Sequence, residues 1–135
     1  MREILFRGKQ EYKNKEWAFG SLHSEYGETD KNGQRKIDYR ILGMRGECDY
    51  VLSETVGQFT GLTDKNGKKI FEGDILKFGD CGIYPVWWDA DFFTFGSCWF
   101  SDFDPLYKYD RNKIEVIGNI HDNPELIGGG ESEIG

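Results

Sequence analysis

The stretch from Glu54 to Phe78, ETVGQFTGLTDKNGKKIFEGDILKF, constrains the fold of this chain more than any other. Residues 55–62 alternate as a strand does, with Val56, Gln58, Thr60 and Leu62 on one face and Gly57, Phe59 and Gly61 on the other. Two glycines around one aromatic leave room for a close neighbour, either a crossing backbone or a ligand. Asp64-Lys65-Asn66-Gly67 predicts a tight hairpin turn, because Asn-Gly supplies the positive φ angles such a turn needs. Residues 69–71 then pair back, Glu72-Gly73-Asp74 turns the chain, and residues 75–78 start a further strand.

The rest of the chain reads in the same idiom. Residues 3–7 and 17–22 predict two strands on either side of a polar turn at Lys13-Asn14-Lys15. Residues 24–32 are polar and carry no periodic signal. Asp30-Lys31-Asn32-Gly33 precedes a strand over 36–42 and repeats the later tetrapeptide letter for letter. The flanking sequences differ, so this is one turn solution used twice rather than an internal repeat. Residues 43–49 read as a loop. Short strands are expected over 83–89, 92–95, 97–100 and 114–120, with a helical turn or irregular loop over 102–110. Asn123-Pro124 has the form of an N-cap followed by proline at the first helical position, which predicts a short terminal helix. Residues 128–135, rich in glycine and glutamate, are expected to be a disordered tail.

Composition narrows the class. A chain of 135 residues suits one domain with a single core. Aromatics at 16% with 18 glycines favour β structure with many turns. Several short strands with a turn signal every ten residues or so predict a mostly β fold, a small barrel or strongly bent sheet. One β domain over 1–127 is expected, with an N-terminal sheet over 1–50 as an extension and a barrel over 51–121. The net charge of −7 repels phosphate backbones, so general nucleic-acid binding is disfavoured. Lys65, Lys68, Lys69 and Lys77 are the best local exception, and they read more simply as solvated lysines at a hairpin tip. Cys48, Cys81 and Cys98 are odd in number and form no CxxC, which fits reduced thiols in a cytosol. No apolar run approaches membrane-spanning length, so a soluble, cytoplasmic protein is expected.

Chemistry-bearing motifs are scarce. Asp64-x-Asn66-Gly67 starts like a calcium loop, but position twelve is Ile75 where that loop needs a glutamate. Asp89/Asp91 and Asp102/Asp104 with Asp110 offer carboxylates for a hard cation, yet each pair falls where turn aspartates are expected. No nucleophile elbow, phosphate loop or HExxH occurs. No catalytic residue, metal site or cofactor is therefore expected. Residues 84–109 hold eleven of the 21 aromatics, against four acids and Lys108 as the only base. That balance argues against stacking on nucleic acid and for a core plus an oligomer or partner patch. Trp87, Trp88, Phe92, Phe93 and Trp99 are the candidate anchors.

The segments TVGQFTGL, DKNG and IFEGDI within the opening stretch, REILFR at the start and EVIGNIHDNPEL near the end together resemble the YopX family of phage and prophage proteins. The resemblance spans Arg2 to about Ile127. It implies a small, mostly β protein with an SH3- or PRC-barrel-like core, and it brings no activity, cofactor or catalytic residues to carry over. Residues 79–113 are where such proteins vary. The expected function is a non-enzymatic accessory module that binds a phage or host protein, or a second copy of itself. One alternative is a small-ligand binder or enzyme using Gln58, Thr60, Glu72 and Asp74, the polar residues around the glycine-rich turns; in that case Thr60 and Asp74 compete with plain turn bonding to backbone. The other is weak nucleic-acid binding through the lysines near Asp64.

Overall fold

The structure is a computed structural model that describes residues 3–12, 15–80, 82–89, 94–99, 102–106 and 110–127. Eleven antiparallel strands account for most of it: β1 (Phe6–Lys9), β2 (Trp17–Thr29), β3 (Arg35–Leu42), β4 (Cys48–Val51), β5 (Gly57–Thr63), β6 (Lys69–Phe71), β7 (Asp74–Phe78), β8 (Ile83–Asp89), β9 (Thr94–Trp99), β10 (Asp102–Pro105) and β11 (Ile114–Asn119). In hydrogen-bonding order they run β4-β3-β2-β1-β5-β6 and β10-β9-β8-β7-β11. A helical turn over 125–127 ends the described chain. The mostly β expectation holds, with the short C-terminal helix. Each strand order keeps two edges among the described residues, so these are open sheets and closure into a barrel is not shown. No described helix is long and apolar enough to cross a membrane. The expected tail over 128–135 lies outside the described residues.

Two compact units divide the chain at Gln58 and Phe59, inside β5. In the first unit, strand alternation sends Phe6, Ala18, Leu22, Tyr39, Ile41 and Val51 to one face, where they pack into a core with Val56. Register explains the grouping, since Leu22 pairs with Ile41 and Tyr39 with Val51. Gly8 is needed for this packing: a Cβ there would stand 2.9 Å from Val51. The chain beyond β1 is also tied to β4, where Gln10 bridges Val51 and the Glu11 amide donates to the Tyr50 carbonyl at 2.9 Å. On the opposite face Arg7 lies 4.5 Å from the Trp17 ring centroid.

Two expectations fail here. β2 runs on to Thr29 through the polar segment that carries no periodic signal, and β4 occupies the end of the expected loop over 43–49. Cross-strand pairing with β3 supplies the bonds that side-chain alternation does not advertise. The outer end of this hairpin is exposed on its core-side face, where Tyr26 pairs with Ile37 and Arg35 sits 5.1 Å from the Tyr26 ring.

The second unit is built around β7, of which four of five residues are buried. Leu76 and Phe78 join Ile70, Val86, Leu106 and Ile114 in its core, with Leu62, Tyr84 and Val116 against them. Each buried aliphatic side chain of this kind contributes roughly 1.5–3 kcal/mol. The room beside Phe59 is filled by protein: Phe71 lies 5.6 Å away ring to ring, and Lys69 Nζ sits 5.6 Å over its face. Gly61, at φ +90°, lies where the β5–β6 register shifts, a bulge that this backbone angle permits.

Further differences lie downstream. The two strands expected over 92–100 are one, β9, and the expected loop over 102–110 begins with β10, paired in register from Asp102 opposite Trp99 to Pro105 opposite Gly96. Asp110 then accepts the Asn112 amide at 3.0 Å and caps a 3-10 turn at Arg111–Lys113. The terminal helix starts where expected, but Asn123 spends its side-chain oxygen on the Asn119 amide at 3.2 Å, behind the helix rather than at its cap.

Candidate functional site

The two copies of Asp-Lys-Asn-Gly fold identically at the local level. Asp30 Oδ1 accepts the amides of Asn32 and Gln34 at 2.8 and 2.9 Å. Asp64 Oδ1 accepts those of Asn66 and Lys68 at the same distances. Gly33 and Gly67 have φ of +81° and +80°, while the asparagine before each keeps a negative φ. The turn is therefore a type I turn closed by a left-handed glycine, and not the two-residue form with two positive φ angles. The aspartate decides this, because its carboxylate gathers two amides that a shorter loop could not offer.

Only the second copy does something further. Asp64 is 4% exposed, and its Oδ2 accepts the Val116 amide at 2.9 Å, across 52 residues of sequence. The Lys65 amide donates to the Ile114 carbonyl at 2.9 Å, and Lys65 Nζ reaches Glu115 at 3.5 Å. Burial pushes the Asp64 carboxyl upward, but the Val116, Lys68 and Asn66 amides, with the charge of Lys68, outweigh it and hold it below its ordinary value. Sequence reading treats both turns alike; the distant partner of Asp64 leaves no local signal.

Of the polar candidates around the glycine-rich turns, Thr60 and Asp74 bond to the two ends of one peptide group, the Ile70–Phe71 link. Thr60 donates its hydroxyl to the Ile70 carbonyl at 2.8 Å and accepts the Leu62 amide at 3.2 Å. Asp74, 2% exposed, accepts the Phe71 amide through Oδ2 at 2.7 Å, closing the turn between β6 and β7. Glu72 is half-buried in that same turn. Gln58, also half-buried, ends the first unit. Of the hairpin lysines, Lys65 and Lys69 are engaged with Glu115 and the Phe59 ring. Among the described residues no three His, Cys, Asp or Glu side chains are grouped to hold a metal ion.

The aromatic candidates split. Phe92 and Phe93 lie outside the described residues, and Trp99 ends β9, where only the backbone is described. Trp87 and Trp88 are adjacent on β8 and so face opposite sides of the sheet. Val86 before them is 2% exposed and belongs to the core, yet the indoles are 39% and 43% exposed. Gly96 is the cross-strand partner of Trp87 and brings no side chain to shield it. Ile83, on the same face as Trp87, is exposed as well.

The comparisons with known proteins agree with the fold and are silent on chemistry. A family model described as "YopX protein" matches residues 5–128. No curated protein matches the chain. Among solved structures, the crystal structure of protein EF1440 from Enterococcus faecalis is similar, with a TM-score of 0.56 and 26% sequence identity, covering 94% of this chain and 99% of that one.

Proposed function

The chain belongs to the YopX protein family, and on that premise we propose that it is a phage or prophage accessory module that binds protein, either a second copy of itself or another phage or host protein. It works in the bacterial cytoplasm and carries out no catalysis. The observation that carries this reading is the pair of tryptophans on β8. An indole left two-fifths exposed is costly in water and common at the centres of protein interfaces. Val86 fixes the strand in the core just before them, so both rings are held on a rigid element and little conformational entropy is lost when a partner covers them.

The test is the state of the protein in a lysate of its bacterial host. The full chain should travel as a complex or oligomer of defined mass, and Trp87→Ser with Trp88→Ser should return it to the monomer. A chain that travels as a monomer with both tryptophans intact would overturn the reading.

A further inference from the structure

A cleft of about 360 Å³ opens on the first unit between the chain beyond β1 and the outer half of the β2–β3 hairpin. Its walls carry the carboxylates of Glu11, Glu28 and Asp38, the phenol rings of Tyr12 and Tyr50, and one cation, Lys36. The Glu11 amide, bonded to the Tyr50 carbonyl, brings Tyr12 alongside β4. The Tyr12 hydroxyl is hydrogen-bonded to the Glu11 side chain, whose negative charge raises the phenol pKa above its ordinary value, and the ring is turned to solvent. Gly27 makes space for one of the acids: a Cβ there would stand 2.4 Å from Asp38 Oδ2. A second hollow of about 310 Å³ shares Glu11, Lys36 and Asp38 and adds the Glu54 carboxylate.

The neighbouring side chains show what this combination of groups holds. Arg40 is paired with the Glu25 carboxylate, and its guanidinium stands 5.8 Å from the Tyr50 ring centroid. Arg35 lies 5.1 Å from the Tyr26 ring. The fold thus twice places its own guanidinium against a phenol ring, once with a carboxylate as the second jaw. The cleft repeats carboxylate and phenol ring in a space far larger than a bare ion needs, with its carboxylates too dispersed to form a metal-binding group.

We propose that this cleft receives an arginine side chain from a partner peptide, its guanidinium stacked on Tyr12 and paired with Glu11 and Asp38. A planar guanidinium suits both jaws at once, through bidentate bonding to carboxylate and stacking on an aromatic face. The site belongs to the first unit and stands whether or not the tryptophans of β8 bind protein. Local charge is the reason for preferring a cationic side chain. Residues 1–58 contain ten acids and ten bases, so the excess of carboxylates in the cleft is a local one.

The test uses the full chain and a fluorescently labelled peptide of alternating glycine and arginine, with a glycine–glutamate peptide as control, followed by anisotropy. The arginine peptide should bind and the glutamate peptide should not. Residues 59–135 hold fourteen acids against seven bases, so bulk attraction must be separated from the cleft. Glu11→Gln with Asp38→Asn should weaken binding roughly tenfold. Asp80→Asn with Glu125→Gln removes the same charge from exposed positions elsewhere and should change it by less than about twofold. Tyr12→Leu, at an exposed position with no core role, should weaken it severalfold while Tyr12→Phe does not. Equal weakening by the two charge-matched pairs, an unchanged affinity in Tyr12→Leu, or no binding of the arginine peptide would each overturn the proposal.

Discussion

Asp64 and Val116 lie 52 residues apart and are joined by a single hydrogen bond of 2.9 Å, from the Val116 amide to the carboxylate oxygen that the hairpin turn leaves over. The other oxygen already serves two amides of the turn. This bond, with the Lys65–Ile114 and Lys65–Glu115 contacts, fastens the turn to the last strand of the second unit, and the identical turn at Asp30 has no such bond among its described contacts. The pair of turns is an internal control for what the long-range bond contributes.

An asparagine has only one acceptor oxygen. In Asp64→Asn either the turn amides or Val116 loses its partner, which should destabilise the protein by about 1–3 kcal/mol. Asp30→Asn keeps the turn bonds at an exposed site and should cost within about 0.5 kcal/mol. Urea unfolding of the two variants, followed by tryptophan fluorescence, measures the difference.

The same carboxylate sets a pH dependence. Its folded-state value lies below its unfolded one, so the charged form is the one the fold favours. Its contribution is present in full above the unfolded value of about 3.9 and is lost as pH falls through the folded value. The stability gap between wild type and Asp64→Asn should be widest near neutral pH and close in strong acid. A gap that stays constant across that range would show that the charge of Asp64 plays no part.

Gly33 and Gly67 share a left-handed backbone, and a Cβ at either would meet open space. Alanine at each should therefore cost the conformational term alone, about 1–2 kcal/mol, and nearly the same at both. Unequal costs measured by urea unfolding would mean that the two turns differ in more than the Asp64 bond.

Much of the second unit is legible in the sequence because its signals are local. Asn-Gly turns, alternation over β5 and the Asp74 turn are all written within a few residues of where they act. What is not legible depends on distant partners. The polar end of β2 is a strand because β3 pairs with it, although Ser24–Thr29 lacks apolar alternation. Asp102–Pro105 is composed of residues common in turns, yet pairing with β9 makes it a strand. The candidate residues divide along the same line. Alternation along β8 predicts one indole inside and one outside; Trp88, on the same side as buried Val86, is exposed as well as Trp87, which alternation does not announce. Nor does any spacing announce the cleft of the first unit, which needs residues 11, 12, 27, 28, 36, 38 and 50 to meet.

Burial separates Trp88 of β8 from Leu76 of β7. Trp88→Ala removes a ring that is 43% exposed and should cost less than a core truncation, under about 2 kcal/mol. Leu76→Ala removes a fully buried member of the core and should cost about 2–5 kcal/mol. Thermal unfolding of both variants tests whether the tryptophan is retained for contact rather than for packing.

The central claim is that β8 presents an exposed tryptophan on each side of its sheet for protein contact, and site-specific photo-crosslinking tests it most directly. A photoreactive phenylalanine analogue placed at position 87 or 88, in cells of the bacterial host, should yield a covalent adduct of one discrete mass, identified by mass spectrometry as this chain or as one partner. The same analogue at exposed Lys77 of β7, on the same sheet, serves as the control. A discrete adduct from 87 and 88 that is absent from the control is the expected result. No adduct at either tryptophan position, or the same adducts from all three, would contradict the account.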